Sequence, residues 1–396
     1  MATAIVTAGA GARGAYEAGV LSRVLPKLID EEREAEIVLV GTSAGAINAA
    51  IAAGAANESA AAIADRLLAA WRTLDVSSVF TLDRAALPAY AAQAIGFSRK
   101  HACALFDTTP LRGTVTDGGH VDWATLSAKF ETGWLKAAGI VATEVESGKS
   151  IVFVEGLGTN LPRANQARDI EYRRAVLAPD HVLASAAIPV LFPSVNVLGS
   201  NWFVDGGVRL NTPIAPAIEL LEKVAPGRNN RVVVVSTEPD PNQVPKRSSR
   251  PVVSRRPDIL GEGIAIIYAN LVDRVAEDVQ SLRRVNALVE ASQKKRVPDV
   301  RTAGHSFQVL DHCYFGPPWR GHLAKKAGEI FGAKRRWPLS TFSVISRLIG
   351  NEGPTHDELL SFLFFEPKFL SALIEMGQKD ADSLMLGGTL PWKTTG

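Results

Sequence analysis

Two short apolar runs, each emptying into a glycine-rich turn that opens a helix, constrain this chain more than any other feature. The first, Ala4–Ala8, stops at Gly9. Beyond it Tyr16, Val20, Leu21, Val24, Leu25 and Leu28 recur at three-to-four spacing, which predicts a helix from about Gly14 to Ile29. The second run, Glu36–Val40, enters Gly41, Thr42, Ser43, Ala44 and Gly45, and an alanine-rich helix is predicted over Ala44–Ala56. Strand, tight turn and helix repeated with short connections is the pattern of a parallel sheet covered by helices. The expected fold class is α/β, a central mostly parallel sheet sandwiched by helices.

Later segments extend the pattern. Ala138–Val145 and Ser150–Glu155 read as strands, Pro179–Ala187 as a helix stopped by Pro189, and Val195–Leu198 and Trp202–Val204 as short strands before a sharp turn at Asp205, Gly206 and Gly207. Pro213–Val224 reads as a helix and Arg231–Ser236 as a buried strand. From Pro239 to Asp258 prolines, serines and Lys246, Arg247, Arg250, Arg255 and Arg256 replace apolar periodicity, which predicts a loop. Ile264, Ile267, Leu271, Val275, Val279, Leu282 and Val285 then mark an amphipathic helix. The expected organisation is a core over 1–238, a basic loop over 239–258 and a mainly helical part over 259–396 packed on the core.

Composition excludes several classes. The 396 residues are 46% apolar and 21% charged, an ordinary globular balance. With 43 basic and 41 acidic side chains the chain has no overall field for a nucleic acid partner. Cys103 and Cys313 are too few for a disulfide framework or a cysteine-built zinc site, and neither an H-E-x-x-H motif nor an EF-hand loop occurs, so no metal or cofactor is expected. Residues 1–7 read as a first strand and not a leader, and no stretch supplies the roughly 20 apolar residues a bilayer span needs. A cytoplasmic protein is expected.

Gly9, Gly11 and Gly14 form a G-x-G-x-x-G between strand and helix, open to three readings. It could hold a dinucleotide pyrophosphate on backbone N–H groups, as in a nicotinamide-dependent oxidoreductase. That needs a carboxylate at the end of the second strand, where the sequence has Gly41 and Thr42. The glycines could simply serve a tight turn. Or the same backbone donors could stabilise an oxyanion formed in acyl transfer, given a nucleophile nearby.

Gly41–Gly45 fits the G-x-S-x-G nucleophile elbow, which thrusts a serine hydroxyl out of a strained strand-to-helix turn. A serine capping the helix is the alternative. The N–H of Ala44 could supply one oxyanion donor. A serine also needs a base. Histidines stand at 101, 120, 181, 305, 312, 322 and 356, none in an obvious strand-end loop flanked by glycine. Asp205 does occupy such a place, although Asp-Gly alone can make a turn.

Four blocks in order resemble the patatin-like phospholipase family: Gly9–Val20, Gly41–Gly45, Ala184–Pro193, and Phe203–Val208 with Asn211–Ile214. The resemblance implies an α/β/α lipid acyl hydrolase with Ser43 as nucleophile and Asp205 as base. Gly9, Ala10, Gly11 and Arg13 would shape the oxyanion site. Ala10 departs from the family, which usually has a third glycine there. The implied chemistry is phospholipase A- or lysophospholipase-like cleavage of fatty-acyl esters through an acyl-enzyme. Its substrate is a phospholipid or another acyl lipid, met by transient peripheral membrane contact. The loop 246–256 and Lys325, Lys326, Lys334, Arg335 and Arg336, near Phe331 and Trp337, are the candidate basic surfaces for that contact. A lipid-binding protein of the same fold with weak turnover is the competing reading, and Ala10 is its one favouring feature.

Overall fold

The computed structural model describes the chain except for residues 32–35, 84–103, 159, 200, 243–278, 292–300, 303, 304, 307, 308, 335–353 and 394–396. Its centre is a nine-stranded sheet. In chain order the strands are β1 (Ala2–Thr7), β2 (Glu36–Thr42), β3 (Leu135–Glu144), β4 (Ser150–Glu155), β5 (Ile170–Arg174), β6 (Val195–Val197), β7 (Asn201–Asp205), β8 (Arg231–Val235) and β9 (Asp311–Phe315). The order across the sheet is β9-β8-β1-β2-β3-β4-β5, with β7 pairing β3 and β6 pairing β7. From β9 to β3 every pairing is parallel; β4, β6 and β7 bring in the antiparallel ones.

Strand alternation sorts side chains to two faces. Ile5, Ile37, Leu39 and Val233 join one core, with the helices α1 (Gly14–Glu31), α2 (Ala44–Gly54) and α3 (Ala60–Arg72). Ala4, Val6, Val38, Val40, Val232 and Val234 face the other core, shared with α5 (Ile214–Val224), which follows the short α4 (Pro179–Ser185) in the chain. This is the predicted three-layer α/β/α arrangement. The six periodic residues of α1 are all buried. Pro26 lies inside that helix, where a proline costs about 3 kcal/mol. Six buried apolar side chains at roughly 1.5–3 kcal/mol each outweigh it.

Two strands of this sheet were not visible in the apolar pattern. β5 carries Glu171, Arg173 and Arg174 in five residues, so its sequence reads as polar. β9 begins Asp311-His312 and comes from the part of the chain predicted to be mainly helical; it forms the sheet edge beside β8. His312 is buried there because Arg283, on the helical residues 279–291, donates from Nε to its Nε2 at 3.1 Å and from both terminal nitrogens to Asp240 at 2.8 and 3.0 Å. Burial and the Arg283 charge push the His312 imidazole down to about 4. Val279 and Leu282 of the predicted amphipathic stripe are buried; Ile264, Ile267, Leu271 and Val275 lie outside the described residues, as does the basic loop from 243 onward. Two further helices, α6 (Pro354–Leu363) and α7 (Pro367–Leu384), pack on the α1 side. Among the described residues no helix is long and apolar enough to cross a membrane.

Candidate active site

The sheet register brings two distant residues together. β2 pairs with β3 as far as Thr42 opposite Val141; the next residue of β3, Ala142, stands opposite Asp205 of β7. Ser43 follows Thr42, so it leaves β2 at the point where β7 takes over the same edge of β3. Its Oγ donates to Asp205 Oδ2 at 2.6 Å across 162 positions of sequence. Both residues are buried.

The turn that carries Ser43 is strained. Ser43 has φ 54° and ψ −125°, a region that side-chain-bearing residues rarely occupy and that costs about 1–3 kcal/mol. It takes the N-cap position of α2 without a side-chain capping bond, because its hydroxyl is committed to Asp205. The flanking glycines are required by contact: a Cβ at Gly41 would collide with the Gly45 carbonyl, and one at Gly45 with the carbonyls of Thr7 and Ala8. Ser43 N–H donates to Ser185 Oγ at 2.8 Å, and that hydroxyl donates to Val141 O at 2.5 Å. Ser185 lies within the Ala184–Pro193 block, but nothing in the sequence assigned it this bond.

Asp205 is held from every side. Its N–H donates to Ala187 O at 2.8 Å and its carbonyl accepts from Thr143 Oγ1 at 3.1 Å. Oδ1 accepts from Gly207 N–H at 2.7 Å, so the Asp-Gly turn and the contact with Ser43 coexist, one on each carboxylate oxygen. Burial pushes the carboxyl up to about 7, opposed by the bonds from Ser43 and Gly207. His181, one of the histidines weighed as a base, is buried in α4; its Nδ1 accepts from Ala178 N–H at 3.0 Å and its ring meets the edge of Phe153.

The Gly9–Arg13 turn lies against this elbow. A Cβ on Gly9 would sit 3.3 Å from Ser43 Cβ and would collide with Asn211 Oδ1. Gly9 N–H donates to Asn211 O at 3.0 Å and Asn211 Nδ2 donates to Gly9 O at 3.2 Å, which ties the turn to the segment after Asp205. Gly9 N–H is thereby spent. Arg13 N–H likewise donates to Ala10 O at 3.1 Å. Among the described residues the N–H groups of Ala10, Gly11, Ala12, Ala44 and Gly45 make no hydrogen bond, so both the turn and the start of α2 keep unspent backbone donors. Ala44 N–H also stands at the positive end of the α2 dipole.

Ala10 has φ −145°, so the turn does not require the positive φ that a glycine would serve there. Gly11 does require it, at φ 54°. Gly9 packs on Asn211, Gly11 on the Phe362 carbonyl and Gly14 on the Trp71 ring. The turn is thus filled by protein on the sides where these glycines lack a side chain, and β2 ends in Thr42 with no carboxylate for a ribose. Of the basic candidates, Lys325 is exposed and Lys326 pairs with Glu329 at 3.5 Å, while Arg335, Arg336 and Trp337 lie outside the described residues.

A family model for patatin-like phospholipase matches residues 5–218. The chain belongs to the patatin-like phospholipase family. Within this family member the matched segment runs from the second half of β1 into α5, and holds the Gly9–Arg13 turn, Ser43 and Asp205. The solved structure of VipD from Legionella pneumophila aligns over 98% of this chain and 67% of its own, at 12% identity and a TM-score of 0.34. No curated protein matches the chain.

Proposed function

We propose that this patatin-like protein is a serine lipid acyl hydrolase, cleaving fatty-acyl esters through a Ser43–Asp205 dyad. The observation that carries the reading is the 2.6 Å bond from Ser43 Oγ to Asp205 Oδ2, made by a serine on a strained elbow. In the first step the Ser43 proton passes to Asp205 Oδ2 as Oγ bonds to the ester carbonyl carbon. The carbonyl oxygen takes up the electron pair, and the N–H groups of Ala44, Gly11 and Ala10 stabilise it. Such donors are effective because they are already oriented before charge develops. Collapse of the intermediate breaks the ester C–O bond, and Asp205 returns its proton to the leaving alcohol or lysolipid. Water then attacks the acyl-enzyme, giving its proton to Asp205, and the fatty acid leaves as Ser43 Oγ is reprotonated.

A base whose pKa lies near the working pH is the most effective one. A carboxylate in its ordinary range would be too weak a base for a serine hydroxyl; burial of Asp205 moves it up to about 7. A hydrolase of acyl lipids would meet its substrate by transient contact at bilayer surfaces.

The reading is tested by incubating the full chain with a panel of phospholipids, lysophospholipids and neutral glycerides and measuring fatty-acid release by mass spectrometry. Release from at least one class, lost in Ser43→Ala and Asp205→Asn, is expected. Vesicle binding without release from any class would favour the lipid-binding alternative.

A further inference from the structure

Residues beyond 218 lie outside the matched family segment, yet one helix among them reaches the oxyanion turn. Arg13 closes that turn, and its side chain is 2% exposed. Nε donates to Ser361 Oγ at 2.8 Å; Nη2 donates to Glu358 O at 3.2 Å and pairs with the Glu358 carboxylate; Nη1 meets Glu238 Oε1 at 3.4 Å. The guanidinium carbon lies 4.3 Å from the centre of the Phe362 ring. Ser361 Oγ in turn donates to Glu358 O at 2.6 Å. Two residues before Arg13, Gly11 packs its Cα against the Phe362 carbonyl, where a Cβ would collide. Helix α6 therefore grips the turn twice, through the Arg13 side chain and the Gly11 backbone.

We propose that α6 belongs to the acyl-transfer machinery, with Ser361 and Glu358 as positioning residues that act through Arg13 to hold the N–H groups of Ala10 and Gly11 in place. The proposal rests on the dyad reading above. A buried guanidinium is stable only with its partners in place, and its planar fork accepts them in one geometry. That makes Arg13 a rigid strut and not a loose surface charge. Oxyanion donors lose their effect when displaced by about 1 Å, so the strut bears on rate more than on substrate affinity.

The test measures kcat, KM and the pH profile of p-nitrophenyl butyrate hydrolysis by the full chain carrying Ser361→Ala, Glu358→Gln, Arg13→Lys, or Arg13→Lys with Ser361→Ala, with thermal midpoints alongside. Expected is a fall in kcat of about tenfold or more in each single variant, with KM changed less than about twofold. The apparent pKa of the profile stays unmoved, since Asp205 is untouched. The double variant loses no more than Arg13→Lys alone, because both changes cut the same strut. Glu358→Gln keeps the shape of the side chain and guards against simple misfolding. Variants that match the parent in kcat overturn the proposal and leave the dyad standing, as does a loss that moves kcat, KM and the pH profile together with a collapsed midpoint. If the parent itself neither hydrolyses the ester nor reacts with a fluorophosphonate, the dyad reading falls and the strut with it.

Discussion

Ser185 Oγ accepts the backbone N–H of Ser43 at 2.8 Å while donating to Val141 O at 2.5 Å, so one buried hydroxyl bridges the elbow to the strand that carries Asp205 opposite it. Replacing it with alanine leaves the Ser43 N–H buried without a partner, at a cost of about 1–3 kcal/mol. Ser185→Ala is expected to lower the thermal midpoint and to reduce kcat by about tenfold or more, because the turn that carries Ser43 loses its fixed register. Steady-state kinetics alongside calorimetry checks both; an unchanged kcat would mean that the bridge does not set the elbow.

Asp205 gives the chain a distinctive dependence on pH. In the proposed reaction its carboxylate accepts the serine proton and has to be ionised first, so kcat/KM should rise with pH through an apparent pKa near 7. The stability effect has the opposite sense. Burial raises the native pKa above the unfolded value of about 3.9, so the folded state holds this proton longer than the unfolded chain does. The stabilisation this provides is complete below about pH 4 and is lost as pH climbs through 7. Asp205→Asn removes the dependence. Relative to the parent it should gain up to about 4 kcal/mol of stability between those limits, while losing activity. Denaturant unfolding at several pH values decides it, and a flat difference between the two proteins would contradict the assignment.

The strain at Ser43 predicts an inversion between two variants that lack its hydroxyl. Ser43→Gly relieves the backbone at φ 54°, whereas Ser43→Ala retains it. The glycine variant should therefore be the more stable by about 1–3 kcal/mol, against the usual cost of glycine. Equal midpoints for the two would show that the elbow stores no strain.

At Gly45 the prediction is failure to fold. Its Cβ position is blocked by two backbone carbonyls, Thr7 and Ala8, which cannot swing aside as a side chain could. Gly45→Ala should destabilise by more than the roughly 1–3 kcal/mol of ordinary overpacking. Ala10→Gly, by contrast, should change kcat less than about threefold, because the backbone there is already at φ −145° and keeps its N–H.

Much of the core was legible because its physics is local. The runs feeding Gly9 and Gly41 are apolar, their turns are glycine-rich, and apolar residues recur at helical spacing from Tyr16 to Leu28, so each element declared itself within a few residues. The turns at Ser43 and Asp205 were legible for the same reason, since their neighbours must be small, but assigning the two residues to one site took the family resemblance. What stayed hidden depends on distant partners. His312 looks polar until Arg283 and Asp240 are seen beside it, and so β9 was missed. Arg13 was expected to help shape the oxyanion site. Its guanidinium bonds Ser361, 348 positions away, a partner no sequence pattern could name. Gly9 was expected to help shape the oxyanion site; that its N–H goes to Asn211 O, 202 positions away, was equally hidden.

Covalent labelling with a fluorophosphonate, read by intact mass and peptide mapping, tests the dyad most directly. One adduct per chain on Ser43 is expected, absent in Ser43→Ala and formed at least about tenfold more slowly in Asp205→Asn. A chain that takes up no label at neutral pH, or carries it on another residue with Ser43 untouched, would contradict the assignment of Ser43 as nucleophile.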